Sequence, residues 1–285
     1  TITKEIKNAI PEMHIHAYSP LEIYQGATTL GISLDTFLGR LRDAGLGSLP
    51  GTAAEVLDDE VRKILCPDKL NTKQWLDIVA TAHNVGLKTT STIMFGHIDT
   101  PINWAKHLTR LRELQKKTKG ITEFVPLPFV HMEAPIYLRG MARPGPTWRE
   151  TVLIHAVARL VLYPFINNIQ TSWVKLGPLG AGACLSAGAN DLGGTLMNET
   201  ITRSAGASHG QEFNPKQMDD LIISAGRTPK QRTTLYDDVF EEQREKSYKA
   251  GPLKDVVNNP VRKRVREKKG TRQIQANILY EGAAD

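Results

Sequence analysis

The feature that most constrains this chain is an alternation of short strand-like runs with longer helix-like stretches. Six runs have strand character, and they cover 13–18, 46–50, 87–95, 121–127, 170–176 and 189–192. Helical patterns cover about 20–30, 33–44, 52–64, a stretch that starts near 71, 102–117, 147–162, 178–187, 196–205 and 214–224. Strands that alternate with helices form parallel sheets, because each crossover returns the chain to the same edge. The sequence therefore predicts an α/β fold with a parallel sheet and helices outside it.

Such a sheet can stay open or close into a (β/α) barrel, and the residues that follow the strands favour the barrel. Polar residues and glycines gather there, at His16–Ser19, Pro50–Thr52, Gly96–His97, Pro126–Pro128 and Asp191–Gly194. Barrel enzymes place their active sites at these carboxyl ends of the strands. A complete barrel has about eight strands. We therefore predict an incomplete TIM-type barrel over 1–236, with its first two strands before Thr1 and open edges at 13–18 and 189–192.

Cysteine content and hydropathy exclude several classes of protein. The 285 residues include only Cys66 and Cys184, which cannot form a disulfide framework or a cysteine-rich metal site. This usage is typical of a reducing compartment, and we expect a cytoplasmic protein. No apolar run approaches the roughly 20 residues that cross a membrane, and the first residues do not resemble a secretory signal.

The formal net charge of +6 is concentrated near the end of the chain. Residues 241–285 hold 11 Lys and Arg against 7 Asp and Glu, so the rest is nearly neutral. We therefore predict a basic C-terminal extension over 237–285, with a poorly packed stretch at 261–272, and no nucleic-acid partner.

Histidines in the first strand suggest a polar lining. His14 and His16 are two positions apart, so they face the same side of the sheet. Together with His97 and His131 they could form a metal cluster, but no helical metal-binding motif accompanies them. We predict that these histidines form hydrogen bonds at the mouth of the barrel, where the carboxyl ends of the strands meet, and that no metal is bound.

Glu55 and Arg62 lie seven positions apart in the helix predicted over 52–64, with Thr52 as its cap. On one helix face, a carboxylate and a guanidinium could hold the two charged ends of an amino acid. The alternative is a helix cap followed by a surface arginine.

The run 190–199 is the most informative stretch. A strand ends at Asp191, Gly193 and Gly194 permit close approach of the backbone, and a helix is predicted to follow. Backbone N–H groups in such a turn can bind a carboxylate or another anion. Asn198 and Glu199 add polar side chains, whereas the alternative is an ordinary glycine turn. No Ser/His/Asp triad can be assigned, and Gly177–Gly182 does not match a nucleotide-binding pattern.

Four of these runs resemble a known family, in its order: Met13–Glu22, Asp43–Glu55, Thr92–His97 and Gly193–Glu199. The chain resembles the radical S-adenosylmethionine (SAM) enzymes that make the deazaflavin FO, and most closely the half that transfers the 4-hydroxybenzyl group of tyrosine. The resemblance covers about 1–236. Related enzymes of the futalosine route to menaquinone usually have Gly-Gly in place of Thr52-Ala53, and they rank second.

The resemblance implies a radical SAM transferase. A [4Fe-4S] cluster would split SAM to a 5′-deoxyadenosyl radical, and L-tyrosine would lose its 4-hydroxybenzyl fragment to 5-amino-6-(D-ribitylamino)uracil. A partner active site, separate or fused, would then close the deazaflavin ring. The family's three clustered cysteines precede this region and are absent here, so we expect this chain alone to bind no cluster.

The resemblance also assigns roles to residues. It implies that Glu55 and Arg62 hold the ribose or the amino-acid end of SAM. Residues expected to contact tyrosine or the uracil are His16, Ser19, His97, Asp191, Gly193, Gly194, Thr195, Asn198 and Glu199. Two other readings remain open: a non-catalytic barrel remnant that binds a ligand or a partner chain, and a phosphate-binding barrel enzyme that uses the paired glycines.

Overall fold

The structure is a computed structural model that describes residues 2–196, 199, 201–207, 209 and 212–251. Within these residues the strands are β1 Ile15–His16, β2 Leu46–Leu49, β3 Lys88–Phe95 and β4 Ile121–Pro128. The helices are α1 Ile2–Ala9, α2 Pro20–Leu30, α3 Leu34–Asp43, α4 Asp59–Leu65, α5 Thr72–Asn84, α6 Pro101–Thr118, α7 Pro135–Leu138, α8 Trp148–Leu162, α9 Trp173–Ser186, α10 Ile201–Ser204, α11 Pro215–Ser224 and α12 Glu241–Lys249.

The strands form one sheet in the order β1-β2-β3-β4, and each neighbouring pair is parallel. Two parallel bridges continue this order, from Phe124 to Ile169 and from Gln170 to Asp191. The segments therefore follow one another across the sheet in chain order. The α/β class with a parallel sheet is confirmed.

Two predicted strands are wrong. The run 170–176 contributes one bridge at Gln170 and then enters α9 at Trp173, and 189–192 contributes one bridge at Asp191. The first run failed because its apolar residues also suit a buried helix, and such short runs do not separate the two states. The helix predicted over 178–187 therefore begins earlier, with a kink at Gly177.

The helix predicted over 52–64 also starts too early. It begins at Asp59, and Asp58 caps it by accepting a hydrogen bond from the N–H of Glu60. Ala53 and Glu55 have positive φ angles of 58° and 46°, which a helix cannot contain. The prediction that Thr52 caps this helix is therefore wrong, and Glu55 and Arg62 do not share a helix.

The core lies between the sheet and the helices that follow its strands. Ile93 and Phe95 of β3 point into this layer. The largest fully buried side chains there include Trp75, Phe95, Phe124, Ile23, Leu38, Leu57, Leu108 and Ile154. Because side chains alternate along a strand, the intervening residues face the other side of the sheet. That inner face carries polar side chains, and Thr90, Thr92 and Glu123 are buried on it.

A smaller cluster packs α9 against α11 around Trp173, Cys184 and Phe213. Beyond it, α12 has no buried residue. The predicted tail stretch 261–272 lies outside the described residues. No helix in the described part of the chain is long and apolar enough to cross a membrane.

Candidate active site

The carboxyl ends of the parallel strands meet at one edge of the sheet, and most of the predicted site residues lie there. His16 ends β1, the loop 50–58 follows β2, and the turn 96–99 follows β3. The segments after Gln170 and Asp191 complete this edge among the described residues. In parallel α/β proteins this edge is the usual position of the active site.

His14 and His16 face the same side of β1, as predicted. His14 Nε2 and His16 Nδ1 each lie 2.7 Å from Ser48 Oγ on β2, so one hydroxyl joins two imidazoles. Desolvation and the neighbouring His14 lower the pKa of His16 to about 4, although part of this residue stays exposed. His16 is therefore neutral at pH 7, and among the described residues its Nε2 has no hydrogen-bond partner.

Ser19 and His97 are occupied by local contacts. Ser19 caps α2, and its backbone N–H and hydroxyl both donate to the Glu22 carboxylate, at 2.8 and 2.7 Å. His97 is buried, with Nε2 2.9 Å from the Met94 carbonyl and Nδ1 accepting from the N–H of Ile98 at 2.7 Å. Burial lowers the pKa of His97. Both residues lie at the predicted edge, and their polar groups shape the turns.

The loop after β2 contacts β3 and carries one partly buried carboxylate. The N–H of Gly51 donates to Thr90 Oγ1, and its carbonyl accepts from Thr92 Oγ1, each at 2.8 Å. Farther along, Glu55 forms an ion pair with Lys69 at 2.7 Å, and its side chain is 16% exposed. Among the described residues, the other carboxylate oxygen of Glu55 has no hydrogen-bond partner, so it can accept a hydrogen bond from a ligand.

Arg62 has a different position from the one that the sequence suggested. Its side chain is buried, and its guanidinium donates to the carbonyls of Ala53, Ala54, Val56 and Leu70. Four carbonyl partners occupy its donors, so Arg62 holds the loop that carries Glu55. The alternative of a surface arginine is also wrong, because Arg62 is 3% exposed.

The turn after Asp191 is fixed by an ion-pair network that the sequence analysis missed. Asp191 Oδ1 accepts from the N–H of Gly193 at 2.5 Å, and Asp191 Oδ2 accepts from Arg232 Nε at 2.5 Å. Arg232 Nη2 also donates to Glu123 Oε2 at 3.1 Å, and the Tyr236 hydroxyl donates to the same carboxylate. Burial raises the pKa of Glu123. Asp191 is therefore turned toward the protein and positions the glycine turn.

The remaining predicted residues follow that turn. The Thr195 carbonyl accepts from the N–H of Phe213 at 3.1 Å, and Gly194 has open space beside its Cα. Both oxygens of Glu199 accept from the N–H of Thr202, at 3.0 and 3.1 Å. Asn198 lies outside the described residues. Lys175, which the sequence analysis did not select, reaches Thr202 Oγ1 at 3.3 Å from the first turn of α9.

Comparison with known proteins finds a matching family model. Residues 118–245 match the family model described as the CofH/MqnC C-terminal region. This match covers 128 of the 285 residues. This region contains Glu123, Lys175, Asp191, Glu199 and Arg232, so most of the second half of the site falls within it.

Relatives extend the likeness over most of the chain. It is 54% identical over 235 residues to the 5-amino-6-(D-ribitylamino)uracil--L-tyrosine 4-hydroxyphenyl transferase of Methanopyrus kandleri, covering 82% of this chain and 64% of that protein. It is 50% identical over 257 residues to the FO synthase of Streptomyces avermitilis, covering 90% of this chain and 30% of that protein. The expected family resemblance is confirmed, and the chain spans less than two thirds of the length of these relatives.

A solved structure supports the fold. The crystal structure of methylornithine synthase (PylB) superposes with a TM-score of 0.52 at 14% identity, over 81% of this chain and 62% of that one. This likeness concerns the fold alone and supports a TIM-type α/β arrangement.

The CofH/MqnC C-terminal region and the rest of the described chain contain no obvious metal centre. No group of three or more His, Cys, Asp or Glu side chains in the described residues could hold a metal ion. Cys66 and Cys184 are both buried in different elements, and burial raises the pKa of both thiols. The sequence has no other cysteine. A cluster held by three thiolates therefore does not fit the residues of this chain.

A cavity of about 470 Å³ lies away from this site. It is lined by Arg159, Tyr163, Asn167, Gly188, Ala189, Asn190 and Arg227. Several of these residues precede the bridges at Ile169 and Asp191, so the cavity lies at the amino ends of those segments. It contains none of the predicted site residues.

Proposed function

We propose that this chain is part of a radical SAM transferase that joins the 4-hydroxybenzyl group of tyrosine to 5-amino-6-(D-ribitylamino)uracil in deazaflavin synthesis. The observation that carries the proposal is the 54% identity over 235 residues to a relative named for the aminouracil and for tyrosine. The two halves of the site support it: Glu55 and His16 on one side, and the turn 191–196 with Glu199 on the other. Both lie at the carboxyl edge of one parallel sheet.

The residues at the mouth fit the polar groups of these substrates. His16 is neutral and presents its Nε2 without a protein partner, so it can donate or accept a hydrogen bond to a phenol or a uracil. The open space at Gly194 allows a ligand to approach the backbone closely, beside the Gly193 N–H that Asp191 holds. We assign these roles to binding and orientation of the two substrates.

SAM fits part of this chain. SAM would supply the 5′-deoxyadenosyl radical that oxidises tyrosine. Glu55 can accept hydrogen bonds from ribose hydroxyls or an ammonium group, because its carboxylate lies at the mouth with one oxygen bound to Lys69. Arg62 does not fit a direct role, since its donors are used on loop carbonyls. We infer that Arg62 acts by holding Glu55 in place.

The [4Fe-4S] cluster of the family does not fit Cys66 and Cys184, which are both buried in different elements. A partner active site that closes the deazaflavin ring belongs to the same proposal. Its support is that this chain covers only 30% of the FO synthase from Streptomyces avermitilis. We also propose a cytoplasmic location, because two isolated cysteines are typical of a reducing compartment.

The proposal can be tested with the complete enzyme under anaerobic conditions. With SAM, a reductant, tyrosine and 5-amino-6-(D-ribitylamino)uracil, we expect 5′-deoxyadenosine and an adduct of the uracil. Glu55→Gln should weaken SAM binding, and His16→Ala should lower adduct formation. An enzyme that consumes SAM but forms no adduct with this uracil would contradict the proposal.

The family description also names MqnC, which keeps a menaquinone-type reaction as the second candidate. The same assay with a futalosine-type substrate separates the two. Turnover of that substrate, with none of tyrosine, would favour the second candidate. The absence of turnover and of ligand binding would favour a non-catalytic role.

A further inference from the structure

Lys175 is a charged residue at the mouth that the contacts of the protein leave largely unsatisfied. It lies three residues into α9, just after the segment that bridges to Asp191, and it is half-buried. Its Nζ has one long hydrogen bond, of 3.3 Å, to Thr202 Oγ1. An ammonium group has three N–H donors. Among the described residues, no carboxylate forms an ion pair with it.

Two carboxylates nevertheless act on this lysine. Burial lowers the pKa of Lys175, and the charges of Glu199 and then Glu55 oppose that effect. Lys175 and Glu199 both contact Thr202, at its hydroxyl and at its N–H, and Glu55 lies on the loop after β2 at the same edge of the sheet. Each carboxylate keeps its own protein partner, Lys69 for Glu55 and the N–H of Thr202 for Glu199.

The charge pattern is that of a zwitterion site. A partly desolvated ammonium with free donors is costly unless an anion completes its hydrogen bonds. A ligand carboxylate would do so, and the flanking glutamates would then face a positive group on the same ligand. An amino-acid end has a carboxylate and an ammonium group attached to the same carbon. The carboxylate is complementary to the charge of the lysine, and the ammonium group is complementary to the charges of the two glutamates.

We propose that Lys175, between Glu55 and Glu199, binds the α-carboxylate of an amino-acid end, and that the two glutamates face its ammonium group. The inference rests on the proposed function, in which two ligands have such an end. These are tyrosine and the methionine portion of SAM.

The test measures binding by the complete enzyme, by calorimetry, with two pairs of probes. Tyrosine is compared with tyramine, which lacks the carboxylate, and SAM is compared with decarboxylated SAM. In the wild type, one of the two pairs should show a preference: either tyrosine binds more tightly than tyramine, or SAM binds more tightly than decarboxylated SAM. The difference should be about 10-fold to 100-fold, as expected for a charged hydrogen bond. In Lys175→Met this preference should disappear for that pair, which identifies the source of the carboxylate.

Lys216→Met is the matched control. Lys216 lies on α11, is 78% exposed and pairs with Asp220 at the surface, so its loss should leave both preferences unchanged. Lys175→Arg keeps the charge and should retain most of the preference. If Lys175→Met fails to fold, Lys175→Gln provides the same comparison with a polar side chain of similar length.

The outcomes separate the two proposals. Preferences that persist in Lys175→Met and Lys175→Gln, with tyrosine and SAM still bound, would overturn the zwitterion site and leave the proposed function standing. A wild-type enzyme that binds neither tyrosine nor SAM would overturn both.

Discussion

Arg232 should be the most sensitive residue of the C-terminal part of the described chain, because it neutralises two buried carboxylates. It bonds Asp191 at 2.5 Å and Glu123 at 3.1 Å, and these two side chains are 6% and 10% exposed. Its guanidinium also lies 4.0 Å from the centre of the Tyr236 ring. Arg232→Met keeps most of the side-chain volume and removes the charge, so it leaves both carboxylates unpaired.

The size of the effect follows from this burial. Removing one partner of a buried ion pair costs about 3–5 kcal/mol. Arg232 is 25% exposed, so we expect the lower end, about 3 kcal/mol. For a chain of this length, that corresponds to a fall in Tm of about 6–12 °C. Lys230→Met is the control, because Lys230 and Asp238 are 75% and 81% exposed and such pairs contribute about 0–1 kcal/mol.

Thermal unfolding measured at two pH values checks the cause. Burial already raises the pKa of Glu123, and without the charge of Arg232 it rises further, so the variant loses stability as the pH rises through that pKa. The deficit relative to wild type should therefore be larger at pH 8 than at pH 5. Adding Glu123→Gln to the variant should restore part of the Tm at pH 8. A fall in Tm no larger than that of Lys230→Met, or a deficit independent of pH, would refute this reasoning.

Three further predictions concern the loop after β2, Arg62 and α12. Gly51→Ala should unfold the protein or lower its Tm strongly, because the new Cβ would lie 2.1 Å from a backbone oxygen of β3. Gly39→Ala, in open space on α3, is the control and should stabilise the protein by about 0.5–1 kcal/mol. Equal Tm values for the two variants would contradict this prediction. Arg62→Met should lower both the Tm, measured by thermal unfolding, and the affinity for SAM, measured by calorimetry, because Arg62 holds the loop that carries Glu55. Glu55→Gln should lower only the affinity for SAM. Unchanged stability in Arg62→Met would contradict the role of Arg62 in holding the loop. Deleting 241–285 should change the Tm by only a few degrees, since α12 buries no residue, and a large drop would show that the extension is structural.

The parts of the fold that the sequence predicted well are those set by local signals. β3 is rich in β-branched residues, and α5 begins at Asn71 with a reciprocal cap to Gln74. The same kind of signal failed at Thr52, where a capping pattern exists but the loop carbonyls are bound by Arg62 from a later helix. A long-range contact overrode the local preference there.

In the candidate site, too, the sequence predicted the features set by local signals and missed those set by long-range contacts. The strand-end rule located His16 and the Asp191 turn, because parallel topology brings those ends together. Glu55 was selected by its spacing from Arg62, in a helix that begins only at Asp59. The bond between Arg232 and Glu123 joins residues 109 positions apart, and spacing carries no signal for it. Lys175 could have been found, since it lies near the end of the run 170–176 that was predicted as a strand, as His16 lies near the end of the run 13–18.

The most direct test of the central claim is to follow the carbon atoms of tyrosine into the product of the complete enzyme. Tyrosine labelled with ¹³C at Cβ and, separately, at Cα is supplied with SAM and 5-amino-6-(D-ribitylamino)uracil, and the uracil product is analysed by mass spectrometry. The account predicts that the Cβ label appears in the product and the Cα label does not, because the bond between these two atoms breaks during transfer. A product that carries both labels, or a labelled product that contains no uracil, would contradict the account.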